Sequence, residues 1–330
     1  MSSIGKRARR SVQSLLARGA VAGISRLPLP VARHVGRRLG ALGTIVSPTS
    51  RRRTLEHLEL SLGETRSRAE LRSIARRILP TLGAQLCESL VFARWGGERT
   101  FQTLEIEGLE ELRATIAEGR RRGRGIIGVS AHYGHWELIA ALISNVCKGD
   151  ALCVVRRYEV EGYQSVLAGI RSRLGVRMRY QEDSLVPVLR HLKRGGFLGL
   201  LPDQDFRNLY DGIFVDFLGR PAFTTTTPAQ LALRTGASVC AATLHREGDR
   251  LIVRGSALVD PETFRADADP VRALTEWWSR ELENRIRAHP EQWVWLHRRW
   301  RTTPDRLEYR SHRRREREEK RRRPPSGLVS

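Results

Sequence analysis

The chain has 330 residues, of which 58 are Lys or Arg and 36 are Asp or Glu, so its formal net charge is +22. Hydrophobic residues make up 40% of the chain, which is enough to form a core and excludes a wholly disordered basic protein. So large a charge indicates an anionic partner but does not predict a fold. Four cysteines without a CxxC spacing predict free thiols in a reducing compartment.

Positive charge is concentrated at the two ends of the chain. Residues 1–53 contain twelve basic and no acidic residues, and residues 298–330 contain thirteen basic and five acidic residues, which leaves 33 basic and 31 acidic residues between them. A nucleic-acid-binding protein, the alternative from a different class, would need a basic face on the folded domain. The sequence also contains no helix-turn-helix, zinc or RNP-type motif, so we expect no nucleic-acid partner.

The first 53 residues predict a basic amphipathic segment that associates with anionic membrane lipids. Apolar residues recur at helical spacing from Val12 to Leu27 and again from Val31 to Val46, with arginines opposite the second stripe. Such helices lie on anionic membrane surfaces, although the same stripes would also pack on a domain core. The sequence has no signal-peptide h-region and no uncharged run near the roughly 18 residues that a membrane span needs. We therefore expect a peripheral or monotopic protein.

Residues 54–300 predict an α/β domain in which a mostly parallel central sheet is flanked by helices. Short apolar runs predict strands, and they alternate with stretches that predict helices. The predicted strands are Ile126–Val129, Ala151–Val155, Phe197–Leu201, Ser238–Leu244 and Arg250–Val253, and the predicted helices include residues 69–95, Trp136–Cys147 and Val271–Ala288. The Arg- and Glu-rich residues 301–330 predict a basic charged tail that is partly helical or disordered.

The segment from Gly128 to Glu137 carries the most informative chemistry. His132 follows a predicted strand, at the sheet edge where α/β proteins bind ligands, and Glu137 falls in the first turn of the next helix. If Gly134 allows a turn between them, Glu137 can reach the imidazole, fix its tautomer and leave the other ring nitrogen as a general base. Such a pair suits the deprotonation of a hydroxyl that attacks a thioester. The spacing alone fits equally well a capping Glu and an ordinary half-buried His.

A metal site is the other chemical interpretation of this segment. His132, His135 and Glu137 all have side chains that bind metals. The two histidines are spaced i, i+3, whereas zinc hydrolase motifs on a helix use i, i+4, and no further ligand is evident. We therefore predict no metal.

Residues His132 to Glu137 resemble the H-x4-[DE] motif of the glycerolipid acyltransferase superfamily, and the sequence is most similar to the lipid A biosynthesis acyltransferases that transfer lauroyl or myristoyl chains. Further blocks resemble that family in the same order, over roughly residues 10–301. They are Val155-Arg156-Arg157, Arg171 to Gly175, Asp203-Gln204, Phe217 to Pro221 with Thr225, Leu231 to Ala237, and Pro290 to Trp300. Six ordered blocks make the resemblance specific, whereas the H-x4-E spacing alone would not.

The resemblance implies transfer of a fatty acyl chain from an acyl thioester to a hydroxyl of a lipid A precursor. The general base would be His132, oriented by Glu137, and the enzyme would lie on the cytoplasmic face of the bacterial inner membrane. The donor would be acyl carrier protein or acyl coenzyme A, with no cofactor besides this co-substrate. The acceptor of this family carries phosphates and acidic sugars, which arginine binds in a bidentate manner. The predicted substrate-binding residues are Arg156, Arg171, Asp203, Gln204, Gly219, Arg220, Thr225, Arg298 and Arg299.

Several alternatives stay open at this level. For each arginine, a solvated surface charge or a structural salt bridge is the competing interpretation. Arg156 and backbone N–H groups near residues 219–225 are candidates to stabilise the oxyanion of a tetrahedral intermediate. The acceptor could be another membrane glycolipid, such as a phosphatidylinositol mannoside, and a hydrolase could use the same dyad on water.

Overall fold

The computed structural model describes residues 19–157, 161–206 and 211–305. The predicted apolar stripe that begins at Val12 lies partly outside these residues, and so does nearly all of the predicted basic tail. Within the described residues, a central sheet of seven strands is covered by helices.

The sheet is mostly parallel, as the sequence predicts. The strands are β1 (Ile106–Glu107), β2 (Ile126–Val129), β3 (Ala151–Val155), β4 (Arg177–Tyr180), β5 (Phe197–Leu200), β6 (Gly212–Phe217), β7 (Arg220–Thr225), β8 (Ser238–Glu247) and β9 (Arg250–Gly255). The order across the main sheet is β1-β9-β8-β2-β5-β3-β4. In it, β8 and β9 pair antiparallel and the other described neighbours pair parallel, while β6 and β7 form a separate hairpin.

The helices that cover the sheet begin before β1 and end after β9. They are α1 (Leu29–Val46), α2 (Pro48–Leu62), α3 (Arg68–Trp95), α4 (Gly97–Thr103), α5 (Leu109–Arg121), α6 (Trp136–Val146), α7 (Glu161–Arg173), α8 (Val186–Lys193), α9 (Thr227–Thr235) and α10 (Pro270–Ala288). Residues 19–24 are also helical. Residue 53, the predicted end of the N-terminal segment, falls inside α2.

The central strand β2 shows why the predicted strands were recognisable. It is buried along its whole length, and Ile127 and Val129 contact one hydrophobic cluster while Ile126 contacts the other. A strand that is covered on both faces reads as a continuous apolar run. The edge strand β4 was missed because two of its four residues, Arg177 and Arg179, are charged.

Helix α1 packs against α3 through glycines that let the two backbones approach closely. A Cβ atom at Gly36 would overlap the carbonyl oxygen of Gly83, and one at Gly40 would overlap the carbonyl oxygen of Leu79. The polar side of the same contact is an ion pair between Arg33 and the buried Glu88, with Nε and Oε1 2.7 Å apart. Helix α1 is therefore fixed to the domain, although it leaves several apolar side chains exposed.

None of the described helices combines the length and the apolar character that crossing a bilayer requires.

The close contact of α1 with α3 can be tested with a matched pair of substitutions in α1. Gly40→Ala should lower the free energy of unfolding by about 1–3 kcal/mol, because its methyl group has to displace the backbone at Leu79. Gly43→Ala is the control, since its methyl group would meet only Leu79 Cδ1 at 3.9 Å and alanine favours the helix. Denaturant unfolding of both variants gives the comparison. Equal stability of the two would contradict the close backbone contact.

Candidate active site

His132 and Asp203 lie side by side at the carboxyl edge of the sheet because they follow neighbouring parallel strands. In the register of β2 and β5, Val129 is paired with Leu200. His132 comes three residues after Val129, and Asp203 comes three residues after Leu200. The loops that follow the two strands therefore bring these side chains next to each other. This edge is where open α/β sheets bind their ligands.

The imidazole of His132 is held by the carboxylate of Asp203. His132 Nδ1 lies 2.8 Å from Asp203 Oδ1, and the backbone N–H of His132 donates to Oδ2 at 2.9 Å. The ring and the backbone of one residue thus contact both oxygens of the carboxylate, which fixes the orientation of the ring. An ionised carboxylate can only accept hydrogen bonds. Nδ1 therefore carries the ring proton and donates a hydrogen bond to Asp203.

Asp203 is completely buried and has a third donor, the indole N–H of Trp293, at 2.8 Å from Oδ2. Burial by itself would raise the pKa of Asp203, but the charge and hydrogen bonds of His132, together with the Trp293 hydrogen bond, hold that pKa at about 2. The carboxylate is therefore ionised at physiological pH. Its negative charge stabilises a positive charge that forms on the His132 ring.

The other ring nitrogen of His132, Nε2, is available for chemistry. Within the part of the chain that the structure describes, Nε2 has no hydrogen-bond partner, and the side chain is 18% exposed. With Nδ1 protonated, the lone pair is on Nε2. A histidine in this tautomer can accept a proton from a bound hydroxyl.

A second histidine, His297, lies next to His132, and Gln204 lies between them. The ring centres are 5.4 Å apart. The side-chain amide nitrogen of Gln204 is 3.0 Å from Nδ1 of His132 and 2.8 Å from Nε2 of His297. Burial, and then the charge of His132, lower the pKa of His297 to about 4, so this ring is neutral at physiological pH.

The structure corrects the predicted partner of His132. Both carboxylate oxygens of Glu137 accept hydrogen bonds from Arg171, at 2.7 and 2.6 Å, and no hydrogen bond joins Glu137 to His132 among the described residues. The physical reason is that α6 begins at Trp136, so Glu137 already lies on the helix and meets the guanidinium of α7 in a bidentate pair. Glu137 and His132 do line the same cavity.

The loop that carries His132 is fixed by the segment from Pro290 to Trp300. The backbone N–H of Gly134 donates to the Gln292 carbonyl at 2.9 Å, and the N–H of Val294 donates to the His132 carbonyl at 3.1 Å. Gly134 has φ of 55°, and a Cβ atom there would overlap the Leu244 carbonyl. Only glycine fits this turn, which lies between His132 and Glu137 but does not bring Glu137 to the imidazole.

His135 also lines the cavity beside His132, but its imidazole pairs with a buried carboxylate. It is buried, and its Nε2 lies 3.0 Å from Oε2 of Glu88. Glu88 also pairs with Arg33 and Arg246. These charges lower the pKa of Glu88 to about 2, although burial by itself would raise it. His135 thus has a structural role in the contact of α3 with the sheet.

A largely apolar cavity of about 360 Å³ opens beside His132. Its walls come from α3, α6, α7 and the segment that follows Trp293. The lining residues with apolar side chains are Leu82, Leu86, Trp136, Leu167, Ile170, Val294 and Leu296, and those with polar side chains include His132, Glu137, Gln204 and His297. The cavity can accept an apolar chain whose reactive end reaches His132.

A polar pocket of about 460 Å³ adjoins the apolar cavity at Gln204 and His297. It shares Gln204, Leu296 and His297 with the apolar cavity. Four arginines line it, namely Arg53, Arg156, Arg298 and Arg301. Arg156 and Arg298 are exposed, so two of the predicted substrate-binding arginines lie in one basic pocket next to His132.

Other predicted site residues lie elsewhere. Gly219 and Arg220 are at the exposed end of the β6–β7 hairpin, where the Gly219 N–H donates to Asp216 and Arg220 donates to the Leu60 carbonyl. Thr225 is buried and bonds to Thr227. None of these three is among the described residues around the His132 cavity, so the predicted oxyanion donors of residues 219–225 do not lie there.

Arg299 is corrected from a substrate-binding residue to a structural one. Its side chain is 1% exposed, and its guanidinium donates to the Phe223 carbonyl at 2.6 Å and to the Thr224 hydroxyl at 2.5 Å. It also lies over the Phe217 ring, 4.8 Å from its centre. Burial of this side chain could not be predicted, because a buried and an exposed arginine look alike in a run of arginines.

Two residues that contact the site are absent from the predicted site residues. Trp293 donates its indole N–H to Asp203, and the ring of His297 lies next to that of His132. The available signal was the block from Pro290 to Trp300, which combines three tryptophans with His297 and follows the domain's last long helix. Its distance in the sequence from His132 hid the contact.

Comparison with known proteins shows to which family the chain belongs. A family model described as bacterial lipid A biosynthesis acyltransferase matches residues 5–302. One relative, the lipid A biosynthesis palmitoleoyltransferase of Escherichia coli (strain K12), is 25% identical over 281 residues, covering 84% of this chain and 87% of the relative. The lipid A biosynthesis lauroyltransferase of the same organism is 26% identical over 284 residues, covering 86% and 89%.

A more partial match links the chain to a different glycolipid acceptor. The phosphatidylinositol mannoside acyltransferase of Mycobacterium tuberculosis is 25% identical over 199 residues, covering 59% of each chain. Together the matches make this chain an O-acyltransferase that uses an acyl donor and a glycolipid acceptor. It belongs to the bacterial lipid A biosynthesis acyltransferase family, which confirms the family that the ordered sequence blocks indicate.

Proposed function

We propose that the protein transfers a fatty acyl chain from an acyl thioester to a hydroxyl of a lipid A precursor, with His132 as general base and Asp203 as its orienting partner. One observation carries the proposal. His132 lines the apolar cavity, and its neighbours Gln204 and His297 line both that cavity and the basic pocket, so an apolar acyl chain and an anionic sugar can meet beside this imidazole.

The chemistry needs no covalent enzyme intermediate. Nε2 takes the proton of the acceptor hydroxyl while the hydroxyl oxygen attacks the thioester carbonyl carbon. The new C–O bond gives a tetrahedral intermediate. When that intermediate collapses, the C–S bond breaks and the thiolate takes the proton from the imidazolium. Asp203 remains ionised and stabilises the imidazolium throughout. The donor thioester is carried by acyl carrier protein or coenzyme A.

The bidentate pair of Glu137 and Arg171 positions the wall of the cavity. Both side chains are largely buried, at 11% exposure each, and the pair joins the first turn of α6 to α7. Removing one partner leaves a buried charge without compensation, which costs several kcal/mol. In this proposal Glu137 acts on the shape of the cavity beside His132 rather than on the imidazole.

The dyad is tested by a series of substitutions measured for acylation of the glycolipid. His132→Ala should abolish turnover. Asp203→Asn should lower kcat by about 100- to 10,000-fold, because the amide no longer fixes the tautomer or stabilises the imidazolium. Asp267→Asn, at an exposed carboxylate, is the matched control.

The products separate this mechanism from that of a hydrolase. Mass spectrometry should show the acyl chain on the glycolipid and an equal amount of free thiol, with little free fatty acid. Wild-type turnover in purified His132→Ala would refute the assigned base. Free fatty acid as the main product would indicate a hydrolase.

The basic pocket is proposed to bind the phosphates of the acceptor. Arginine binds phosphate through charge-assisted hydrogen bonds, and one such bond contributes about 1.5–3 kcal/mol. The double variant Arg156→Gln, Arg298→Gln should therefore raise KM for the phosphorylated acceptor at least about tenfold and change KM for the dephosphorylated acceptor little. Arg113→Gln, at an exposed arginine of α5, is the control.

The same assay separates the two acceptor classes. Preferred acylation of a phosphatidylinositol mannoside over a lipid A precursor would favour the alternative acceptor. An unchanged KM for both acceptors in the double variant would show that the basic pocket does not bind their phosphates.

We also propose that α1 holds the enzyme on the cytoplasmic face of the bacterial inner membrane. Five apolar side chains of α1 are 45–74% exposed, namely Val31, Leu39, Leu42, Ile45 and Val46. Leu86 of α3, 48% exposed, lines the His132 cavity. Helix α1 packs on α3, so these exposed apolar side chains belong to one pair of helices. Exposed Arg37 and Arg38 supply attraction to anionic lipids.

The membrane face is tested by vesicle sedimentation with vesicles that contain anionic lipid. The double variant Leu42→Ser, Ile45→Ser should lower the bound fraction strongly, because it removes apolar area from the face that enters the interface. The control is Leu185→Ser, Val186→Ser, which changes two apolar side chains of similar exposure on another surface, 52% and 49%. Equal binding of the two double variants would refute the role of α1.

A further inference from the structure

Three metal-binding side chains meet outside the catalytic site. His245 and Glu247 lie near the end of β8, and His289 directly follows α10. Residues two apart on a strand project from the same face, so His245 and Glu247 are presented together. The side-chain atoms His245 Nε2, Glu247 Oε1 and His289 Nε2 all lie within 4.8 Å of one another.

The distances are close to those of a metal site. Oε1 of Glu247 is 2.9 Å from Nε2 of His245 and 3.1 Å from Nε2 of His289. Zinc bonds of about 2.0–2.2 Å in tetrahedral geometry place neighbouring ligand atoms about 3.3 Å apart. To surround one ion, the two contacts of Glu247 would each lengthen by a few tenths of an ångström, and the two imidazoles, whose ligand atoms lie within 4.8 Å of each other, would adjust to the same spacing.

The surroundings also suit a cation that enters from solvent. His245 is buried, whereas the side chains of Glu247 and His289 are 33% and 34% exposed, which leaves a fourth position for water. His289 is the C-cap of the 19-residue helix α10, and the carbonyl end of a helix carries partial negative charge. Two imidazoles and one carboxylate form a ligand set that suits zinc and related transition metals.

We propose that His245, Glu247 and His289 form a binding site for a divalent transition metal ion of the zinc class. The ion would tie the end of β8 to the end of α10. The site also supports the catalytic loop, because the His245 ring packs on Tyr133 at 5.6 Å between ring centres and the neighbouring Leu244 carbonyl accepts from the His135 N–H at 2.7 Å. Its role is structural, and it does not depend on the proposed acyl transfer.

The test uses the full-length protein, stripped with chelator and then titrated with Zn²⁺ alone. Isothermal titration and elemental analysis should give about one ion per chain, and saturating Zn²⁺ should raise Tm by about 5 °C. Glu247→Gln and His289→Ala each keep the buried His245 in place, and each should lower zinc affinity at least about tenfold and remove the Tm shift. Co²⁺ in place of Zn²⁺ should give the visible absorption of a tetrahedral site.

Two control variants show whether the ion binds at this cluster. His34→Ala removes an exposed histidine of α1, and His132→Ala removes the catalytic imidazole. Both should keep wild-type zinc affinity. Absence of zinc binding in the wild-type protein would overturn the proposal, and so would wild-type affinity in both Glu247→Gln and His289→Ala.

Discussion

The buried carboxylate of Asp203 is the constraint on which the rest of the site depends. An ionised group without solvent is tolerated only when donors surround it, and here the donors come from two parts of the chain. His132 supplies its ring and its backbone N–H, and Trp293 supplies its indole N–H. The loop after β2, the loop after β5 and the segment after α10 must therefore be in contact for the carboxylate to be buried. The charge that orients the His132 ring is therefore also the reason why these three parts cannot move independently.

The arrangement of the two cavities fits an enzyme whose substrates are amphiphilic. Leu296, His297 and Gln204 form the partition between an apolar space and a basic one, and the reactive imidazole lies beside it. Part of the net charge of +22 lies in the basic pocket, because arginines from both basic ends of the chain line it. Arg53 comes from the N-terminal segment, and Arg298 opens the C-terminal one. Charge at the ends of the sequence thus lies next to the site in three dimensions.

Much of the fold followed from local patterns. Strands such as Ile126–Val129 and Ala151–Val155 could be predicted to the residue because a buried parallel strand must be continuously apolar. The edge strand Arg177–Tyr180 could not be predicted in this way, because it has a neighbouring strand on one side only and its sequence includes two arginines. His132 was recognisable because its motif is short and contiguous. Its true partner was not, since the nearest carboxylate in the sequence, Glu137, was assumed to be the nearest in space.

The sequence by itself determined the elements, the edge of the sheet that carries the chemistry, and the family to which the chain belongs. Each of these depends on residues close together in the chain or on the order of motifs along it. Only the tertiary structure decided the contacts. In it, Asp203 contacts His132, 71 residues away in the sequence, and Glu137 pairs with Arg171. Arg299 is buried, and His289 lies beside His245 and Glu247. Strand register and helix packing set those contacts, and both depend on the whole core rather than on any local pattern.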